Sequence, residues 1–262
     1  MQCRLIARPA EGIRRVGMGH MHTLKTALVA AFGLVLAGCA GVPAGPATDP
    51  GDPYESTNRQ IFAANQDLDR MFLARTARMY NEAVPEFGRE RIHDLLENLD
   101  LPVTFANDLL QGERKRAGET FARFTVNTTI GLGGLFDPAT SHFDMPNHSE
   151  DFGQTLGVWG VGGDPYLMLP VLGPSSPRDL TGRAVDIGLD PMTWLRFKQH
   201  VWWQTGREYF KVLDLRARNL DSIEGIERGS VDFYATTRSL YRQYRENEIR
   251  NGRVTKENLP DL

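Results

Sequence analysis

The sequence predicts an all-α protein. Apolar residues recur at three- and four-residue spacing through most of the 262 residues, and prolines or glycines close each periodic run. Strand-like alternation is confined to Tyr166 to Leu169. None of the periodic runs holds the roughly 20 consecutive apolar residues that a membrane-spanning helix needs.

The first periodic run is Asn58 to Val84, with Ile61, Phe62, Leu68, Met71, Phe72, Met79 and Tyr80 on its stripe and Pro85 at its end. Phe87 to Leu99 follows, carrying Ile92, Leu95, Leu96 and Leu99. Pro102 is expected to break it, because proline lacks the N–H that a helix interior uses. A separate short helix then runs from Val103 to Leu110 and closes at Gly112. Glu113 to Thr128 places Ala117, Phe121, Phe124 and Thr128 on one face. Beyond a breaker-rich middle, residues 131–177, shorter helices are expected at Arg178 to Leu189 and Met192 to Phe197. Longer ones follow at Val201 to Asn219 and Ser222 to Arg250, joined tightly at Leu220 and Asp221.

The ends set the compartment. Leu24 to Leu36 is an apolar run too short to span a bilayer but of the length of a signal-peptide core. It stops at Leu36-Ala37-Gly38-Cys39, which has the form of a bacterial lipobox. Residues 1–38 are therefore expected to be a removed leader, with Met18 or Met21 a more plausible start than Met1. Cys39 would carry acyl chains worth roughly 0.8 kcal/mol per buried methylene. Ala40 rather than Asp follows it, which for lipoproteins of this kind implies passage to the outer membrane. Residues 39–53 read as a Gly/Pro/Ala linker, 54–250 as one helical domain and 251–262 as a polar tail.

Without the leader the chain has 25 basic and 32 acidic side chains, a net charge of −7, and no basic stripe. Nucleic acid is not an expected partner. The only other cysteine, Cys3, falls in the leader, so no disulfide is expected.

Phe152 to Pro177 is the anomaly of the chain. Its 26 residues hold one charge, Asp164, with six glycines and four prolines. It is too broken for a spanning helix and too apolar for an ordinary surface loop. Irregular apolar backbone of that kind belongs against protein or along a cavity. Nine of the 26 glycines lie between Gly131 and Gly173. Small residues there let backbones approach closely and leave room for a ligand. Trp159 and Tyr166 suit either a membrane–water interface or an ordinary core.

Catalytic and metal constellations are thin. Gly173-Pro174-Ser175-Ser176-Pro177 fails the G-x-S-x-G pattern at Pro177. Gly131-Leu132-Gly133-Gly134 lacks the Lys-Ser/Thr pair of a phosphate loop. His142 and His148 share a polar loop with Asp144, Glu150 and Asp151, but their spacing matches no standard zinc pattern. No catalytic residue, metal or cofactor is expected. A binder or conduit fits better than an enzyme, although a lipase using Ser175 or Ser176 is a distinct alternative.

Several words of the sequence are recognisable together. They are Asp52-Pro53-Tyr54-Glu55-x-x-Asn58-Arg59, Asn107-Asp108-Leu109-Leu110-Gln111-Gly112, and Arg123-Phe124-x-x-Asn127-Thr128-Thr129-x-Gly131-x-Gly133-Gly134-Leu135-Phe136-Asp137. With them stand Phe152-Gly153-Gln154-Thr155-Leu156-Gly157 and the run Tyr166 to Asp179, continued by Gly182 and Asp186. Taken together they resemble the MlaA (VacJ) family of outer-membrane lipoproteins, with Asp164 standing where glycine is expected before Pro165-Tyr166. The resemblance implies a compact, ring-like bundle of amphipathic helices in the inner leaflet of the outer membrane, held by trimeric porins. It further implies removal of misplaced phospholipids from the outer leaflet and their delivery to a periplasmic lipid-carrier protein, without a cofactor.

On that basis Gly131, Leu132, Gly133, Gly134, Leu135 and Phe136 are candidates for the lipid path or its gate. Trp159, Tyr166, Leu167, Leu169 and Leu172 are the others. Asn58, Arg59, Asn107, Gln111, Arg123, Asn127, Arg178 and Asp179 are expected to fix the scaffold by polar contacts. The competing function is a structural adaptor that bridges a porin to periplasmic factors and carries no lipid.

Overall fold

The computed structural model describes residues 51–195 and 200–251. The leader, Cys39, most of the linker, Phe197 and the tail from 252 lie outside the described residues. The fold is all-α with one small hairpin. Glu55 to Ala83 is a single helical run in three parts: α1 (Glu55–Leu68), a π-helical turn (Asp69–Leu73) and α2 (Ala74–Ala83). Val84 leaves the helix in an extended conformation just before Pro85, as the residue preceding a proline must tend to do.

Pro102 does not break the next element. α3 runs unbroken from Glu86 to Leu110 with Pro102 inside it. The local cost of proline, about 3 kcal/mol, is outweighed by packing on both sides: Leu96, Asn98, Leu101, Thr104, Asn107 and Asp108 are all buried. Much of that burial is against α4 (Arg114–Thr129), which packs along α3.

The middle is less irregular than its composition suggests. α5 (Pro138–Phe143) is capped by Asp137, which accepts from Thr140 N at 3.0 Å. α6 (Phe152–Val158) starts at Asp151, which accepts from Gln154 N at 2.8 Å. The apolar segment from Phe152 thus begins as a helix and ends in a hairpin, β1 (Leu167–Leu169) paired antiparallel with β2 (Gly173–Ser175). Leu167 faces Ser175 across the ladder and Leu169 faces Gly173.

α7 (Pro177–Leu189) is capped by Ser176, whose Oγ accepts from Asp179 N at 3.1 Å. It crosses α6 at contact distance. A Cβ on Gly182 would lie 2.2 Å from Gly153 N, so glycine is required there for the two backbones to meet. α8 (Pro191–Trp194) and α9 (His200–Arg218) follow.

The expected single helix from Ser222 to Arg250 is two: α10 (Leu220–Gly229) and α11 (Phe233–Ile249). Ser230 and Asp232 are extended, and Asp232 caps α11 by accepting from Ala235 N at 3.1 Å. Gly229 before a capping Asp is a stop signal followed by a start signal.

Two small apolar cores hold these elements. Ala77 and Tyr80 of α2 meet Leu213 and Ala217 of α9; Tyr166 and Met168 of the hairpin meet Tyr234 of α11. The rest of the burial is inverted. Among the described residues, nineteen buried side chains are polar or charged against twelve that are hydrophobic. Meanwhile Met71, Phe72, Leu132, Val171, Trp194, Trp202 and Leu215 are each at least half exposed.

Candidate functional site

The glycine-rich loop after α4 is built from beneath by polar side chains. Asp137 receives Arg123 Nη2 at 2.9 Å and Asn127 Nδ2 at 2.9 Å, besides the backbone of Thr140. Asn127 in turn accepts from Ala139 N at 3.1 Å, and Arg123 reaches Thr140 Oγ1 at 2.7 Å and the carbonyl of Met145. Burial alone would raise the Asp137 carboxyl, but these donors outweigh it and hold the group below the ordinary carboxylate range.

The loop is thus pinned at its base and free at its crest. Gly131 is buried, and Gly134 has φ 95° and lies against α3, where a Cβ would sit 2.5 Å from the Asn98 side chain. Leu132 takes φ 54° at the crest and is 68% exposed; Gly133, Leu135 and Phe136 are exposed beside it.

Under Phe136 opens a cavity of about 530 Å³. It is bordered by Arg91 and Asp94 of α3, Ile130, Phe136, Asp137, and Pro138, Thr140, Ser141 and His142 of α5. The Arg91 guanidinium lies 4.6 Å from the Phe136 ring centre and 2.9 Å from Asp94. Burial pushes the Asp94 carboxyl up.

The second expected segment rests on different neighbours. Asn58 of α1 is 2% exposed, donates to the Tyr166 carbonyl at 3.1 Å and accepts from Met168 N at 2.9 Å. Asn65, two turns further along the same face, donates to Leu169 O at 2.9 Å and accepts from Val171 N at 2.8 Å. Two asparagines of α1 thereby continue the hydrogen bonding of the hairpin. Val171 and Leu172 at its tip are exposed, and Leu167 and Leu169 are half-buried. Tyr166 is a core residue: 1% exposed, it packs edge-on against Tyr234 and Tyr241. Trp159 is half exposed, anchored by its indole N–H on Leu110 O at 3.2 Å and stacked edge-on with Phe152.

The remaining polar candidates join helices to one another. Asn107 of α3 donates to Asp186 of α7 at 2.9 Å and accepts from Thr155 of α6 at 2.9 Å. Gln111 donates to Glu150 at 2.8 Å. Arg59 clamps Asp232 at 2.6 and 3.1 Å and lies 4.4 Å from the Tyr234 ring centre. Arg178 bonds Asp179 at 2.8 Å, and Asp179 receives Arg245 of α11 at 2.9 Å. Arg245 also grips Asp151 at 2.6 and 2.9 Å. Asp52, 0% exposed, collects Asn58 at 2.7 Å, Arg238 at 2.7 Å and the Tyr234 hydroxyl.

Sequence reasoning missed Asn65, Asp137, Asp186 and Arg245 as site residues. Asp137 and Asp186 stand inside the recognisable words, so a signal for them existed; Asn65 and Arg245 had none. Ser175 is 0% exposed and Ser176 serves as a helix cap, an arrangement that leaves neither hydroxyl open to a substrate. Among the described residues no group of three or more His, Cys, Asp or Glu is placed to hold a metal ion.

Comparison with known proteins places this architecture. The model of the MlaA lipoprotein family matches residues 50–248, which includes every described element but the last residue of α11. The chain belongs to the MlaA lipoprotein family. The intermembrane phospholipid transport system lipoprotein MlaA of Haemophilus influenzae is 34% identical over 246 residues, 91% of this chain and 96% of the relative. Its Escherichia coli K12 counterpart is 32% identical over 235 residues, 87% and 90% of the two chains. A solved MlaA structure, described as the structural basis for maintenance of bacterial outer membrane lipid asymmetry, superposes with a TM-score of 0.68 at 33% identity. It covers 76% of this chain and 98% of the solved one. Like that relative, this MlaA-family chain is helical, and none of its described helices is long and apolar enough to cross a membrane.

Proposed function

We propose that this MlaA-family chain is an outer-membrane lipoprotein, anchored through Cys39, that takes misplaced phospholipids from the outer leaflet and hands them to a periplasmic lipid carrier. The inverted burial carries the reading. A water-soluble protein rarely exposes contiguous apolar patches beyond a few hundred Å². Here large apolar side chains are exposed on the π-helical turn, the loop crest, the hairpin tip and α9, while asparagine, aspartate and arginine fill the interior. Such a body is stable where its surface meets acyl chains, and its buried charged side chains are paired with one another.

Leu132, Leu135 and Phe136 would form one apolar border of the lipid path, with Trp159, Leu167, Leu169 and Leu172 forming another. Tyr166 supports the second border from the core. The polar clamps beneath hold both segments in place without closing over them. A trimeric porin is the expected partner in the membrane. The thirteen residue-to-residue steps from Cys39 to Asp52 reach at most about 45 Å, so the anchor keeps the body close to its own leaflet.

The test is to delete the gene and quantify outer-leaflet phospholipid by surface labelling. The label should rise, and the wild-type gene should restore it. An unchanged label in cells with an otherwise intact outer membrane would remove the proposal.

A further inference from the structure

The 530 Å³ cavity beneath Phe136 has a chemistry that a general apolar passage does not need. One border is apolar, with Ile130 63% exposed at its lip and Phe136 beside it. The lining also carries a cation and an anion side by side, Arg91 and Asp94, 2.9 Å apart, while its other carboxylate, Asp137, is already bonded by Arg123, Asn127 and Thr140. The guanidinium is held by the Phe136 ring at 4.6 Å and the Phe87 ring at 5.2 Å. Ser141 and His142 also line it, Oγ and Nδ1 2.8 Å apart. A volume of this size falls within the range of small-molecule sites.

We infer that this cavity seats the zwitterionic headgroup of a phospholipid, with its phosphate on Arg91 and Ser141 and its primary ammonium on Asp94. The inference rests on the proposed function and names the lipid class that it acts on. A fixed ion pair complements a zwitterion by exchanging partners: each charge of the ligand replaces one charge of the pair, so neither side chain is left uncompensated. A purely anionic headgroup would satisfy Arg91 but stand against Asp94. The apolar border accepts the start of the acyl chains, and Ile130 lies where glycerol meets acyl carbon.

The test places a photo-crosslinking amino acid at Ile130 in the full chain in its own membrane, with the same group at exposed Phe121 on α4 as the reference. Adducts are identified by mass. Phosphatidylethanolamine should be enriched about tenfold over anionic lipid at position 130 relative to position 121, a factor that corresponds to 1.4 kcal/mol. Asp94→Asn should abolish that enrichment while lipid adducts still form, and Arg91→Gln should lower capture of every phospholipid. Equal lipid composition at the two positions would overturn the inference, as would enrichment that survives Asp94→Asn. A water-soluble phosphoester adduct in place of a diacyl lipid would also overturn it. Failure of the underlying reading has a separate signature, since outer-leaflet phospholipid would then stay unchanged on gene deletion whatever lipid is caught at Ile130.

Discussion

Arg123, only 2% exposed, donates to the carboxylate of Asp137 at 2.9 Å from fourteen residues away, and this pair forms the floor under the glycine-rich loop. A charge pair removed from water is held by its geometry, and removal of one partner leaves the other uncompensated. Arg123→Ala should therefore destabilise the protein by about 3 kcal/mol, the usual cost of breaking a buried pair. Chemical unfolding of the detergent-solubilised chain measures it. A loss below the cost of an ordinary surface substitution would show that the loop does not depend on this floor.

The crossing of α6 and α7 depends on the absence of side chains. Gly182→Ala drives a methyl into the backbone of Gly153 and should cost about 2 to 3 kcal/mol through overpacking. Gly118→Ala on α4 is the control, because beyond the backbone of its own helix and its chain neighbours no atom lies within 4 Å of its added Cβ. There the helix should gain about 0.5 to 1 kcal/mol, the intrinsic advantage of alanine over glycine. Equal effects at the two sites would contradict the close approach of the helices.

His93 links α3 to α9 by its contact with Asp214 at 2.8 Å, and it also meets Glu97 at 3.1 Å. These two carboxylates push the imidazole up to about 9 from its ordinary 6.5. A folded value above the unfolded one means stabilisation that is complete below pH 6.5 and is lost as pH rises through about 9. Stability should fall across that window, and His93→Gln should flatten the fall. A wild-type profile that stays level from pH 6.5 to 9 would contradict the assignment.

Much of this was legible in the residues, and the remainder failed for physical reasons. The helix-to-loop rhythm from Asn58 to Thr128 follows apolar spacing, which tertiary packing reinforces. Pro102 misled because its penalty is local, whereas the burial of Leu101, Thr104 and Asn107 that offsets it comes from α4 and its neighbours. α6 escaped because seven residues with two glycines are too few to display a period. The polar candidates were visible as types, yet their partners were not: Asn58 finds Tyr166 across 108 positions, and Arg59 finds Asp232 across 173. Nothing in a residue's own neighbourhood encodes such a distance. Tyr166 could be read for an interface or a core, and only the ring contacts with Tyr234 and Tyr241 decide for the core.

The exposed crest of the loop separates folding from function. Leu132 contributes little to burial at 68% exposure, so Leu132→Asp should leave protein levels near wild type. If the crest borders the lipid path, the charge should raise outer-leaflet phospholipid toward the level of the gene deletion. Leu169→Asp in the hairpin should do the same, with a larger loss of stability because Leu169 is half-buried. Normal lipid handling by both variants would move the path elsewhere.

The central claim is that this chain moves phospholipid out of the membrane. The most direct measurement reconstitutes the full chain, with the proposed acyl anchor at Cys39 and a trimeric porin as the proposed partner, into vesicles that carry a fluorescent phospholipid, and follows the label onto a soluble periplasmic carrier. The account predicts label on the carrier at a rate that rises with the amount of chain and falls in the Leu132→Asp variant. Label that reaches the carrier equally fast from vesicles lacking the chain, or never reaches it when the chain is present, would contradict the account.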